Sequence, residues 1–142
     1  MPRTTVAIAP NLAEAWYYIG WAIASGPSPD RLPEARKALE KSTELNPTAF
    51  STWLQLGDVC WRVHDVDAAD KALEKARSLG ALPPPGGVES QQRLQDRIKA
   101  AHILTEIYHS QGDAAKETEI RAESERLSVL IQTQIHTNDV QK

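Results

Sequence analysis

His102, Glu106 and His109 stand at i, i+4 and i+7, which sets two imidazoles and a carboxylate along one side of a helix. Those are residue types that hold zinc, and a tetrahedral site would need one more donor. No second segment offers an obvious fourth ligand, and three polar residues on a solvated helical face arise readily by chance. The trio reads as ordinary polar surface; no metal and no cofactor is expected. Cys60 and His64 are also i, i+4. Yet Cys60 falls at a core-facing position, where a thiol acts as a small apolar group. Asp65, Asp67 and Asp70 gather at a turn and in the first turn of a helix, where carboxylates suit the positive end of the dipole. Gly86-Gly87 lacks the Lys and the hydroxyl residue that would make a phosphate loop, and no nucleophile elbow is present. The chain is not expected to be an enzyme.

Composition narrows the class further. The 142 residues carry a formal net charge of -3 with both signs interspersed, and no run of Lys and Arg exceeds two. Such a surface has no field for nucleic acid or for an acidic membrane. The lone cysteine, Cys60, excludes an internal disulfide framework and fits a reducing, cytoplasmic compartment, with the nucleus equally open. Val6-Ala7-Ile8-Ala9 is too short for a signal-peptide core, and nothing approaches a membrane span. Four Trp beside one Phe is an unusual aromatic balance, and the Trp positions are informative.

The elements that carry these residues repeat. Trp16, Ile19, Gly20 and Ile23 recur as Trp53, Leu56, Gly57 and Cys60, each displaced by 37 residues. Ala35, Leu39 and Ser42 recur as Ala69, Leu73 and Ala76, displaced by 34. Two amphipathic helices per unit, a small-residue crossing and a period in the thirties describe an all-α solenoid of antiparallel helix pairs. The spacing predicts helices over about Asn11–Ala24, Pro33–Leu45, Thr48–Val63, Val66–Leu79, Ser90–Ser110 and Ala114–Ile135. The first unit holds three extra residues, and they must lie between Ile23 and Ala35, where Gly26, Pro27 and Pro29 cluster. Inward stripes are expected at Ala35, Ala38, Leu39, Ser42 and Leu45; at Leu94, Ile98, Ala101, Leu104, Thr105 and Tyr108; and at Ile120, Leu127, Leu130 and Ile131. The organisation is then an N-terminal segment 1–12, unit 1 at 13–49, unit 2 at 50–83, and a Pro/Gly linker with helix extension at 84–97. A degenerate third unit with a capping helix follows at 98–135, and a frayed tail at 136–142.

These residues resemble the tetratricopeptide repeat, whose consensus runs Trp, Leu-Gly, an aromatic, Gly-Asp at the turn, Ala at the crossing and a closing Pro. Unit 1 matches through Trp16, Ile19, Gly20, Ala35, Leu39 and Pro47, and unit 2 through Trp53, Leu56, Gly57, Asp65, Ala69, Leu73 and Ala76. In the third, displaced by 48, Leu104, Tyr108, Gly112 and Asp113 match, whereas Glu117, Arg121 and Ser124 replace the expected Ala, aromatic and Ala. Ile8-Ala9-Pro10 looks like the closing turn of a preceding unit, so the chain reads as a fragment of a longer array. The resemblance implies a right-handed superhelix with a C-terminal capping helix. It also implies a role in holding another protein as an adaptor, scaffold or dedicated chaperone module.

In a curved solenoid the first helix of each pair lines the inner surface. The face beside the packing stripe holds Tyr17, Trp21 and Ala24, then Leu54, Asp58 and Trp61, then His102, Glu106 and His109. The candidate partner-binding groove is therefore Tyr17, Trp21, Leu54 and Trp61, with Asp58 and Arg62 at its edge, suited to a peptide or partner helix. The family's carboxylate-clamp mode needs several convergent donors, and the matching positions hold Tyr17, Trp21, Gln55, Lys99 and Ile103, of which only Lys99 suits that task. A second expectation, of another class, is a homo-oligomer formed through an open solenoid end or the last helix.

Overall fold

The computed structural model describes residues 12–87 and 89–141. The reading of Ile8-Ala9-Pro10 as the close of an earlier unit lies outside the described residues. Six α-helices are present among those described: α1 (Leu12–Ser25), α2 (Leu32–Leu45), α3 (Phe50–Arg62), α4 (Val66–Gly80), α5 (Gln91–Ser110) and α6 (Ala114–Gln141). α1 packs on α2, α3 on α4 and α5 on α6; α2 then meets α3, α4 meets α5, and α3 touches both α1 and α5. The architecture is an all-α helix-pair solenoid. The extra residues of the first unit form the bend after Ser25 and a short 3-10 turn at Pro29–Arg31. At the other end α6 continues to Gln141, beyond the Ile135 boundary drawn from its apolar stripe.

Each of the first two pairs closes on a glycine. A Cβ on Gly57 would lie 2.5 Å from Leu73 Cγ, and one on Gly20 would lie 2.6 Å from Leu39 Cγ. Leu39 and Leu73 are wholly buried, as are Ala35 and Ala69 beside them. The helices thus approach until one leucine fills the space a side chain would occupy. The turn between the two helices of each later pair is also shared. His64 (φ 66°) and Gly112 (φ 72°) both take the left-handed conformation. The next N–H then reaches back, Asp65 N to Cys60 O and Asp113 N to Tyr108 O, both at 2.9 Å. Each Asp carboxylate accepts from the third residue of its helix, Ala68 N and Lys116 N, both at 3.2 Å.

The segment between α4 and α5 turns at Pro85–Gly87, and Gly86 and Gly87 both have positive φ. Its product is a lengthened α5, whose added turns seal the end of α4. Arg93 Nη2 donates to the carbonyls of Leu79, Gly80 and Leu82 at 3.1–3.3 Å, with its guanidinium 5.8 Å over the Phe50 ring. Being enclosed by α3, α4 and α6, α5 buries Ala100, Ile103 and Ile107 as well as Leu94, Ala101, Leu104 and Tyr108. The inward stripes need two corrections. Leu45 is exposed, because α2 ends there and the chain turns away. Leu130 is exposed, because α6 turns Ile120, Glu123, Ser124 and Leu127 inward instead. Ile19 is exposed too, on the outer side of the first pair.

Two outcomes test this account. Gly57→Ala should destabilise, since overpacking costs about 1–3 kcal/mol against the ~0.5–1 kcal/mol that Ala gains over Gly in a helix. A lower urea midpoint with an unchanged slope checks it. His64→Gly should raise the same midpoint, through a stability gain of up to about 1 kcal/mol, because the left-handed conformation is strained for a side-chain-bearing residue.

Candidate functional site

α1, α3 and α5 lie side by side, so their outward residues form one surface. Tyr17 is half-buried against the core and meets Tyr18 edge-on, ring centroids 5.3 Å apart. Burial pushes the Tyr17 phenol above its ordinary pKa, and the Asp96 carboxylate and Tyr18 add to the shift. That influence shows how far α5 reaches: its added turns bring Asp96 within electrostatic range of α1. One turn beyond Tyr17, Trp21 is 46% exposed, an aromatic plane held out on a rigid helix. Asp58 of α3 pairs with Lys99 of α5 at 3.4 Å, with the Asp58 side chain mostly covered. Lys99 is therefore already engaged by an acid.

A cleft of about 320 Å³ opens between the first turns of α1 and α3, lined by Glu14, Tyr17, Tyr18, Asn46, Ser51 and Thr52. Its floor is fixed by Ser42 Oγ donating to Ala13 O at 2.6 Å. The cleft is polar at its rim and aromatic along one wall, which suits a peptide backbone with an apolar side chain.

Two of the six groove residues need correction. Leu54 is 1% exposed, because α3 is enclosed by α2, α4 and α5 and turns Leu54 into the shared core. It has no surface to offer a partner. Arg62 Nη1 donates to Ala24 O at 2.9 Å, where the last turn of α1 has carbonyls without helical partners. Its guanidinium is occupied in closing α1. Trp61 is half-buried and packs against the core, so only part of its ring faces outward. Tyr17, Trp21, Asp58 and the outer edge of Trp61 remain, joined by Tyr18, Asp96 and Glu14, which the repeat offsets did not single out. Tyr18 carries a signal in being an aromatic beside Tyr17. Asp96 carries none, since its place depends on where the lengthened α5 crosses the other helices.

The three polar residues of α5 diverge. His102, Glu106 and His109 are all exposed, and His109 Nδ1 lies 2.7 Å from Glu117 Oε1 on α6. Among the described residues no group of three or more His, Cys, Asp or Glu is placed to hold a metal ion. Nor, among them, is any helix long and apolar enough to cross a membrane.

The fold defines an all-α helical-repeat protein. Known proteins agree at that level. The chain is 34% identical over 83 residues to tetratricopeptide repeat protein 5 of Homo sapiens, covering 58% of this chain and 18% of that one. It is 27% identical over 94 residues to the Bos taurus and Mus musculus proteins of the same name, covering 56% of this chain and 21% of each. The chain thus spans about a fifth of the length of the curated relatives it matches. No family model matches it.

Asp96→Asn should lower the Tyr17 pKa only part of the way to its ordinary value, because burial, the larger cause, remains. Ultraviolet titration of phenolate formation, with Tyr17→Phe identifying the signal, reads this directly. A Tyr17 that titrates unchanged in the variant would mean that Asp96 does not act on this surface.

Proposed function

We propose that the chain is a non-enzymatic protein-binding module that holds a peptide or helix on the face of α1, α3 and α5. The observation that carries this reading is Trp21, an exposed aromatic fixed on a helix beside the Tyr17–Tyr18 pair and the adjoining cleft. Rigid aromatics of this kind supply contact area at small entropic cost. Similarity to tetratricopeptide repeat proteins supports an interaction role; adaptor, scaffold or chaperone duty in the cytoplasm is the finer form of the proposal. A carboxylate clamp is disfavoured, since Lys99 is paired with Asp58 and Ile103 is buried.

Self-association is the second reading, and the distal half of α6 favours it. Val129 is 60% exposed, with Leu130 and Ile135 also outside. A cleft of about 690 Å³ is lined by Ala122, Leu127, Val129 and Leu130 and by charged side chains, Arg97 and Arg126 among them.

One set of variants separates the two. Trp21→Ala should leave circular dichroism intact and abolish capture of partners from source-cell lysate. Val129→Asp/Leu130→Asp should leave capture unchanged and lower the mass in solution only where the chain is an oligomer. Partners retained by a folded Trp21→Ala protein would remove the groove reading.

A further inference from the structure

Exposed pairs of residues recur along α6 as Arg121-Ala122, Glu125-Arg126 and Val129-Leu130, each four residues after the last. That spacing sets them in a row along one side of the helix. The other side packs on α5 through Ile120 and Leu127. The other acids of this stretch are engaged: Glu119 and Glu123 with Arg77, and Glu117 with His109 and Arg121. Glu125 and Arg126 belong to none of these pairs. They stand at the centre of the exposed row with opposite charges, next to the cleft of about 690 Å³ that both help to line.

Such a row is complementary to itself. Two copies of α6 laid antiparallel about a two-fold axis between Glu125 and Arg126 bring opposite charges together twice, each Glu125 facing Arg126 of the second copy. The same operation sets Val129 on Ala122, a large residue on a small one beside the cleft. It sets Leu130 on Arg121, whose stem can cover it while the guanidinium stays with Glu117 at 3.6 Å. Other alignments lose this match. A parallel pair in the same register faces Glu125 to Glu125 and Arg126 to Arg126. Sliding the antiparallel pair by one turn faces Arg126 to Arg121 in one direction. In the other it sets Glu125 on Leu130 and Arg126 on Val129. Sliding by two turns puts Val129 on Leu130 but leaves the charges facing Gln134 and Thr133.

Resting on the self-association reading of α6, we propose that its outer face is an isologous interface for a second copy of this chain, antiparallel and registered by reciprocal Glu125–Arg126 pairs. Val129 and Leu130 supply the apolar contact, and the charges choose the direction and the register. The occupant is a second copy of the chain rather than a foreign helix.

Sedimentation equilibrium of the whole chain, over concentrations up to the millimolar range, tests this. The mass should rise from one chain toward two. Glu125→Arg should weaken association by about tenfold or more, because each ion pair becomes Arg against Arg. Arg126→Glu, its mirror, should do the same. The double variant Glu125→Arg/Arg126→Glu has the natural composition and opposite charges facing again, and it should restore association. Circular dichroism should be unchanged in all three, since both positions are exposed. A natural chain of one mass at every concentration overturns the interface and the self-association reading together. Association that withstands both single variants, or that the double variant does not restore, overturns this interface and leaves self-association standing.

Discussion

The arrangement depends on two contacts in which a leucine occupies the space above a glycine, Leu39 on Gly20 and Leu73 on Gly57. Nothing larger fits at either glycine without moving a buried side chain. This fixes the separation and register of each pair, and with them the direction in which every other residue of α1 and α3 points. The outward position of Trp21 follows from the inward position of Gly20 one residue before it. The third pair lacks the contact. Thr105 stands where the glycine stood and Arg121 where the leucine stood. A cleft of about 220 Å³ remains there, bounded by His102, Thr105, Arg121, Ser124 and Glu125.

Polar contacts register the third pair instead. Tyr108, buried on α5, places its hydroxyl 2.6 Å from Glu74 Oε1 and 2.9 Å from Asp70 Oδ1, both on α4. One proton serves two acceptors. Burial raises the phenol's pKa, and Glu74 and Asp70 raise it further, so the hydroxyl remains a donor across the physiological range. Arg77 carries the link to α6 through Glu119 and the buried Glu123 while holding Glu74 on its own helix. Burial works against the Arg77 charge, and the hydrogen bonds to Glu123 and Glu119 outweigh it. Partly buried pairs of this kind add little net stability, but a misregistered helix would leave Glu123 buried without its partner. They select a register more than they strengthen it.

Much of this was legible in the sequence, for a physical reason. Close approach demands Gly or Ala at fixed spacing, so the crossings appear as Gly20, Gly57, Ala35 and Ala69 in a chain where such regularity is hard to produce otherwise. The turn was legible as well, although His64 stands where Gly112 stands in the next unit. What could not be read are contacts made by distant helices. Leu54 sits at an inner-surface offset but is buried in the core that the helices share. Arg62 looks like a free groove cation until the end of α1 is seen beside it. In α6 the charged register hides the inward face, since Glu123 is buried and Leu130 is not. Periodicity assigns a face by polarity, and both residues break that rule for the sake of their neighbours.

The two ends of the solenoid differ in chemistry. At the α5–α6 end the positions equivalent to Leu54 and Leu73 are His102 and Arg121, both exposed, and Arg121 pairs with Glu117 at 3.6 Å. That surface is polar and compatible with water. At the α1–α2 end the equivalent surface keeps Trp16 and Ile19, the residue types that meet a neighbouring helix in the second unit. The two faces of the described helices therefore differ, one apolar and one polar. The distal half of α6 departs from the terminal pattern, because Val129 and Leu130 follow the charged first half of the same helix. This helix packs on α5 and carries an apolar surface over its last turns, so its two halves answer to different constraints.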